Sequence, residues 1–223
     1  MRAPRRMRTP HEPRGRRDLS AARRAALALK EAGAAAQASW PAPAGGAASV
    51  PRVRVRRPGE GFRHPAGRTD VLRVLRFFGE PYTYGVRSID LARRPAGVGA
   101  GQLLLGRLMV PGRIMIYEQP PSPWHVQGTL PRSELARLSR AGALVDASAG
   151  GGASVVSWPA DTLRDFMLFD VLMHELAHHL VQHEKGKRRV RVARTSDHEA
   201  FAERFAARCR ELYRDAGDGA GGA

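Results

Sequence analysis

The chain has 223 residues, with 37 Lys or Arg against 21 Asp or Glu, and its formal net charge is +16. This length fits one globular domain with tails more easily than two domains, and an apolar content of 43% excludes a wholly disordered chain. A single cysteine, Cys209, excludes a disulfide framework, and no apolar run approaches the roughly 18 residues that cross a bilayer. We therefore expect a soluble, cytoplasmic protein with no membrane partner.

Positive charge is concentrated near the N-terminus. Residues 1–58 contain 14 Lys or Arg, but only Glu12, Asp18 and Glu31 are acidic, so their net charge is +11. This segment is rich in Ala, Pro, Gly and Arg and has too little apolar surface to offset the entropy of ordering, which predicts a basic disordered tail. Such a tail could simply keep the protein soluble, or it could dock on nucleic acid or another acidic surface. At the other end, residues 215–223 are predicted to form a flexible tail.

Residues 59–214 are predicted to form one α+β domain. The first helix follows Thr69 and Asp70 as candidate caps and ends at Gly79. Pro111 and Gly112 form a tight turn between two strands of a hairpin. Further along, 154–158 is predicted to be a short edge strand. The expected elements, in chain order, are a helix over 71–78, strands over 86–91, 102–110 and 113–118, a short helix over 133–138, the strand over 154–158, and two C-terminal helices.

The most informative stretch is the first C-terminal helix, predicted over 162–183 with Asp161 as its cap. The stretch contains no Pro or Gly, and its broad apolar face is typical of a helix buried in the centre of a domain. His174 and His178 are four residues apart, so on a helix both imidazoles can reach one tetrahedral metal ion. Glu175 is rotated by about 100° from His174 and would lie beside the open coordination position. This is the geometry of zinc peptidases, in which the carboxylate accepts a proton from water.

Three other residues of this helix have open assignments. His179 and His183 repeat the four-residue spacing on another face, but Leu180 occupies the position of the base, so we expect them to face solvent or to support the site. Asp170, one turn before His174, either accepts a ring N–H from that histidine or is exposed.

The second C-terminal helix, which opens at Ser196, is expected to supply a third metal ligand. Glu199 is the first candidate. However, Ser196 and Glu199 also have the spacing of a capping box, in which the carboxylate would bind the backbone at Ser196. His198 is the competing ligand, because imidazole suits zinc equally well. The loop over 185–194 between the two helices carries six basic residues and is either simply solvated or a contact for an acidic or nucleic-acid substrate.

The two helices resemble those of the zincin metallopeptidases of gluzincin type over residues 163–212. The matching motifs are His174-Glu175-x-x-His178 on the first helix and Glu199-x-x-Ala202-Glu203-x-x-Ala206 on the second. The resemblance implies a zincin-like α+β fold, in which a small antiparallel or mixed sheet packs on the active-site helix and a C-terminal helix.

The same resemblance implies roles for individual residues. One Zn²⁺ per chain would be held by His174, His178 and Glu199, with Glu175 as the general base and Glu203 as support for a ligand histidine. SprT-type peptidases use a third histidine, and that pattern would assign the ligand role to His198 instead.

A zinc metallopeptidase acting on a protein or peptide is therefore the leading expectation. Zincins bind an extended peptide against an edge strand, for which 113–118 and 154–158 are the candidates by chain order. The candidate transition-state stabilisers are His198, Arg194, Tyr117 and Tyr213. Two alternatives are a metal-dependent hydrolase acting on nucleic acid, suggested by the basic tail and loop, and a catalytically inactive zincin-fold protein associated with nucleic acid.

Overall fold

A computed structural model describes residue 24 and residues 50–99, 101–147, 152–184 and 194–220. These ranges contain seven strands, which are β1 Arg52–Val55, β2 Ser88–Ala92, β3 Gly106–Met109, β4 Arg113–Tyr117, β5 Trp124–Gln127, β6 Leu144–Asp146 and β7 Ala153–Ser157. The helices are α1 Arg68–Phe78, α2 Glu80–Thr83, α3 Arg132–Arg140, α4 Thr162–Phe166, α5 His174–Glu184 and α6 Ser196–Ala220, and a π-helical segment, Met167–Met173, joins α4 to α5. The predicted α+β class is confirmed.

The larger sheet is mixed and has the strand order β1-β2-β4-β3. Strands β1, β2 and β4 are parallel, and β3 returns antiparallel to β4 through the turn at Pro111 and Gly112, as predicted. Alternate residues of a strand point to opposite faces. The apolar set, which includes Val53, Ile89 and Ile114, is buried in the core.

The smaller sheet is antiparallel and has the order β5-β7-β6. The segment predicted as an edge strand over 154–158 corresponds to β7, which lies between β5 and β6, so the edge assignment was wrong. Val156 pairs with both Trp124 and Val145 and is fully buried, which a central strand explains and an edge strand does not.

The helices lie close to their predicted positions. Helix α1 begins after Gly67 rather than at Thr69, and the Asp70 carboxylate accepts a hydrogen bond of 2.9 Å from the Gly67 N–H. This contact satisfies a backbone donor that would otherwise have no partner at the helix start. Gly79 ends the helix, as predicted.

The helical run from α4 to α5 forms the centre of the core. Side chains on most sides of it are buried, including Phe166, Met173 and Leu176. Cys209 of α6 is also fully buried, and burial raises the pKa of its thiol, which agrees with a core role. No helix within the described ranges is both long enough and apolar enough to cross a membrane.

Both predicted tail boundaries need correction. Arg52–Val55 was assigned to the tail over 1–58, but it forms strand β1, and Val53 is only 3% exposed. Val53 lies between the exposed Arg52 and Arg54, so alternate residues here meet the core and water, and Val55 at the end of the strand is 50% exposed. At the C-terminus, α6 continues to Ala220, so residues 215–220 are helical rather than a tail.

Removing residues 1–57 should therefore destabilise the domain. This deletion removes β1, exposes the edge of β2 and loses the burial of Val53, a loss of at least about 2 kcal/mol in the free energy of unfolding. The control lacks only residues 1–49 and keeps β1. Urea denaturation of the two variants measures the difference, and equal midpoints would show that β1 contributes nothing to stability.

Candidate metal centre

Three side chains from two helices converge at the first turn of α5. The Nε2 atoms of His174 and His178 are 3.0 Å apart, and Glu199 Oε2 of α6 lies 3.3 Å from the first and 3.4 Å from the second. One donor atom from each residue lies within 4.8 Å of the others, so this group could hold a metal ion. The helical spacing of the histidines was predictable, and the packing of α6 supplies the carboxylate.

Small residues allow α6 to lie close to α5. Ala202 and Ala206 follow Glu199 at helical spacing and are buried, and Phe201 and Phe205 fill the core beside them. The helix begins after Thr195, whose hydroxyl accepts a hydrogen bond of 3.3 Å from the His198 N–H. Thr195 thus provides a cap from outside the predicted Ser196 and Glu199 pair.

The carboxylate of Glu199 contacts the two histidines, as the metal-ligand interpretation requires. It does not turn back to the backbone at Ser196, so the capping-box alternative is wrong. The adjacent His198 does not belong to the His174, His178 and Glu199 group among the described residues. Residues next to each other on a helix point about 100° apart, which explains why only one of the two joins the group.

The local electrostatics suit a cation. Burial lowers the pKa of His178 to about 3, assisted by the nearby charges of His174 and Arg194, so its imidazole is neutral at pH 7 and has a lone pair to donate. A hydrogen bond with His174 lowers the pKa of Glu199 to about 2, so this carboxylate is ionised. Two imidazoles and one carboxylate form a donor set suited to zinc.

Glu175 is held beside this group by two hydrogen bonds. Its Oε2 accepts one of 2.8 Å from the Leu108 N–H of β3 and one of 2.7 Å from the Arg194 guanidinium. Arg194 also lies 3.8 Å from Glu199 Oε1, so one cation contacts both carboxylates. The Glu175 side chain is only 7% exposed, and the two hydrogen bonds fix the orientation of its carboxylate.

A cavity of about 340 Å³ opens beside these side chains. Its lining consists of Leu103, Leu104, Leu105, Gly106, Ser133, Glu134, Arg137, Asp170, Val171, His174, Glu175, Arg194, Glu199 and Glu203. Hydrogen bonds fix the backbone of the wall over 103–105. Arg94 and Gln119 both donate to the Leu104 carbonyl, and Arg94 also donates to the Gly99 carbonyl. The cavity thus has one apolar wall with fixed backbone and one charged wall.

The strand next to the cavity is β3, not the predicted strand over 113–118. The hairpin turn places β4 inside the sheet, between β2 and β3, and leaves β3 at the edge. Neither predicted edge strand is therefore an edge, since β7 is central as well. Chain order alone cannot show which strand of a hairpin is the outer one.

Of the four candidate transition-state stabilisers, Arg194 is the one that lines the cavity. Tyr213 packs on the rings of Phe77 and Phe169, and Tyr117 is buried. The other basic residues of the predicted loop, 185–193, lie outside the described residues.

The supporting residues have mixed outcomes. Glu203 lines the cavity near His174, but in the part of the chain that the structure describes its carboxylate makes no hydrogen bond to His174 or His178, so its supporting role stays a prediction. Asp170 is neither exposed nor bonded to His174 through its side chain, because its carboxylate forms an ion pair with Arg210 of α6.

The second histidine pair is His179 and His183, and His179 does not face solvent. His179 is buried, its Nε2 lies 3.0 Å from the Tyr84 carbonyl, and its ring stacks on His183 at 5.5 Å. Burial lowers the pKa of His179 to about 4, so it is neutral at pH 7. These contacts indicate that the two histidines support the packing of α5 against the segment before β2.

Sequence reasoning missed Gly106 and the Leu108 N–H, both in β3. A Cβ on Gly106 would lie 2.7 Å from Val171 Cγ1 and 3.4 Å from Glu175 Cγ, so the absence of a side chain allows β3 to approach the helix. An isolated glycine within a strand pattern signals such an approach, and Gly106, which follows Leu105 and precedes Arg107 in a predicted strand, had that signal.

Gly106→Ala should destabilise the domain by about 1–3 kcal/mol and lower any activity that depends on Glu175, because the added methyl group must displace Val171 or β3. Gly99→Ala is the matched control, since a Cβ there meets nothing within 4 Å. Thermal denaturation compares the two, and an unchanged midpoint for Gly106→Ala would contradict the close packing.

None of the family models, curated proteins or solved structures compared with the chain matches it significantly.

Proposed function

We propose that this protein is a zinc-dependent metallopeptidase that hydrolyses peptide bonds. The observation that carries the proposal is the convergence of His174, His178 and Glu199, with Glu175 beside them on the wall of a cavity. This arrangement supports the gluzincin-type assignment of three protein ligands, an open position and a base.

His174, His178 and Glu199 would hold the ion. A bound zinc would supply Lewis-acid chemistry, lowering the pKa of water to about 7 and polarising the substrate carbonyl. The Nε2 atoms of both histidines are the donors that face the third ligand, so no rearrangement of the helices is needed to bring three donors together.

The other steps belong to the chain's own residues. Glu175 accepts the proton of the attacking water at its carboxylate and later donates it to the departing amine. The Leu108 N–H keeps that carboxylate oriented. Arg194 lies close enough to Glu175 to place positive charge next to the carbonyl oxygen of a substrate, where negative charge develops.

The cavity suits an extended peptide. Strand β3 is the sheet edge beside Glu175, so a substrate segment can pair with its backbone, a mode that gives affinity without specifying sequence. The apolar wall over 103–105 and Val171 would then contact the side chain next to the bond that is cleaved.

Zinc titration of metal-depleted protein tests the proposal. We expect one zinc per chain for the wild type and for the control His125→Ala, whose imidazole is exposed on β5, and none for His178→Ala. The wild type and His125→Ala should cleave casein, and His178→Ala should not. If the wild-type protein takes up no zinc, the proposed metal centre is wrong. If it takes up zinc and cleaves RNA but not casein, the nucleic-acid hydrolase is favoured.

A further inference from the structure

The larger sheet has one face that carries arginines instead of core residues. Alternate residues of a strand and paired residues of neighbouring strands share a face. The register pairs Arg52 and Arg54 of β1 with Ser88 and Asp90 of β2, and these with Arg113 and Met115 of β4.

The same face continues onto β3. Met115 pairs with Arg107, and Arg113 pairs with Met109. We call the arginines of this surface, Arg52, Arg54, Arg107 and Arg113, the basic sheet face. With neighbouring strands about 4.8 Å apart, they span about 14 Å from β1 to β3.

Three of these arginines have no counter-charge. Arg52, Arg54 and Arg107 are exposed, and within the described ranges none of their guanidinium groups forms a hydrogen bond or an ion pair. Arg113 instead pairs with Asp90, which is buried, so the one acidic side chain of this face is already neutralised. The surface is therefore a patch of net positive charge that the fold does not use internally.

Additional positive charge precedes β1 in the sequence. Residues 1–49 contain ten Lys or Arg and three acidic residues. Nearly all of these cations are arginines, whose planar guanidinium matches phosphate oxygens in a bidentate geometry.

We propose that the basic sheet face binds the phosphate backbone of nucleic acid without reading its sequence. In the part of the chain that the structure describes, this face exposes Arg and Met but no aromatic ring on which a base could stack, since Tyr117 is buried. Phosphate contacts give affinity that is independent of sequence and falls with salt. This binding does not depend on the metal centre.

The test compares two triple variants of the full-length chain. The first, Arg52→Gln, Arg54→Gln and Arg107→Gln, removes the unpaired charges of the face. The matched control changes Arg68, Arg73 and Arg76 to Gln, which removes the same charge from α1, a helix packed on the apolar side of the sheet.

Binding of a fluorescent 25-base-pair DNA duplex is measured by anisotropy at several salt concentrations. The first triple variant should bind more weakly, and the slope of log K against log salt should fall by about one per arginine, or about three in total. The control should shift the slope by less than one, and duplexes of scrambled sequence should bind equally well. Zinc uptake should be the same in both variants, which separates this result from the fate of the proposed peptidase.

Three outcomes would overturn the proposal. If the wild type does not bind the duplex, the proposal is wrong. If the two triple variants weaken binding equally, net charge alone determines binding. If the first variant loses binding to phosphatidylserine vesicles while duplex binding is unchanged, the face contacts lipid headgroups instead.

Discussion

Glu175→Gln should lower peptide hydrolysis by about 10²- to 10⁴-fold while zinc remains bound. The amide keeps the shape of the carboxylate and can still accept the hydrogen bond from the Leu108 N–H, so the fold is retained. It cannot accept the proton of water. Steady-state kinetics on a fluorogenic peptide, with metal content measured on the same samples, gives both quantities.

Glu134→Gln is the control for this change. Glu134 lines the same cavity from α3, where it pairs with Arg137 at 3.3 Å, so it loses the same charge in the same cavity. We expect its activity to stay within a few-fold of the wild type. If both variants lose activity equally, the electrostatic field of the cavity rather than proton transfer by Glu175 determines the rate. If Glu175→Gln loses zinc, Glu175 supports the metal centre instead of acting as the base.

The proximity of the two histidines of the candidate metal centre could be predicted because their relation is local. A spacing of four on an uninterrupted apolar helix places His174 and His178 on one side regardless of what surrounds the helix. The π-helical segment Met167–Met173 immediately before them had no signal in the apolar pattern, but it did not disturb the relation between the two histidines.

The surroundings of Glu175 could not be predicted, because they depend on contacts between distant segments. Leu108 is 67 residues away along the chain, and its N–H reaches Glu175 only because the hairpin leaves β3 at the edge of the sheet. In the same way, Asp170 meets Arg210 through the packing of α6, which nothing in the sequence near Asp170 indicates.

Strand β1 had a local signal that composition obscured. Arg52, Val53, Arg54 and Val55 alternate with a period of two, which is the pattern of a half-buried strand. The high Arg, Pro and Ala content of the preceding residues favours a tail, and this composition places the tail boundary after β1 instead of before it. Periodicity over four residues was a better guide here than composition over fifty.

The third ligand separates the gluzincin pattern from the three-histidine pattern, and Glu199→Ala should weaken zinc binding more than the roughly 10- to 100-fold that loss of a supporting residue causes. Its Oε2 lies 3.3 and 3.4 Å from the two imidazole nitrogens, whereas the neighbouring His198 is outside the group. His198→Ala should therefore keep the metal.

The experiment is a competition titration with a zinc-binding dye, accompanied by urea denaturation of each variant. Glu199→Gln keeps the length of the side chain and controls for loss of packing, and it should also bind zinc weakly because the amide carries no charge. If His198→Ala removes the metal while Glu199→Ala only lowers the free energy of unfolding by about 1 kcal/mol, Glu199 is a capping residue. The centre would then be of the three-histidine kind, and α6 would have to rotate by about 100° from its present orientation to present His198 to the ion.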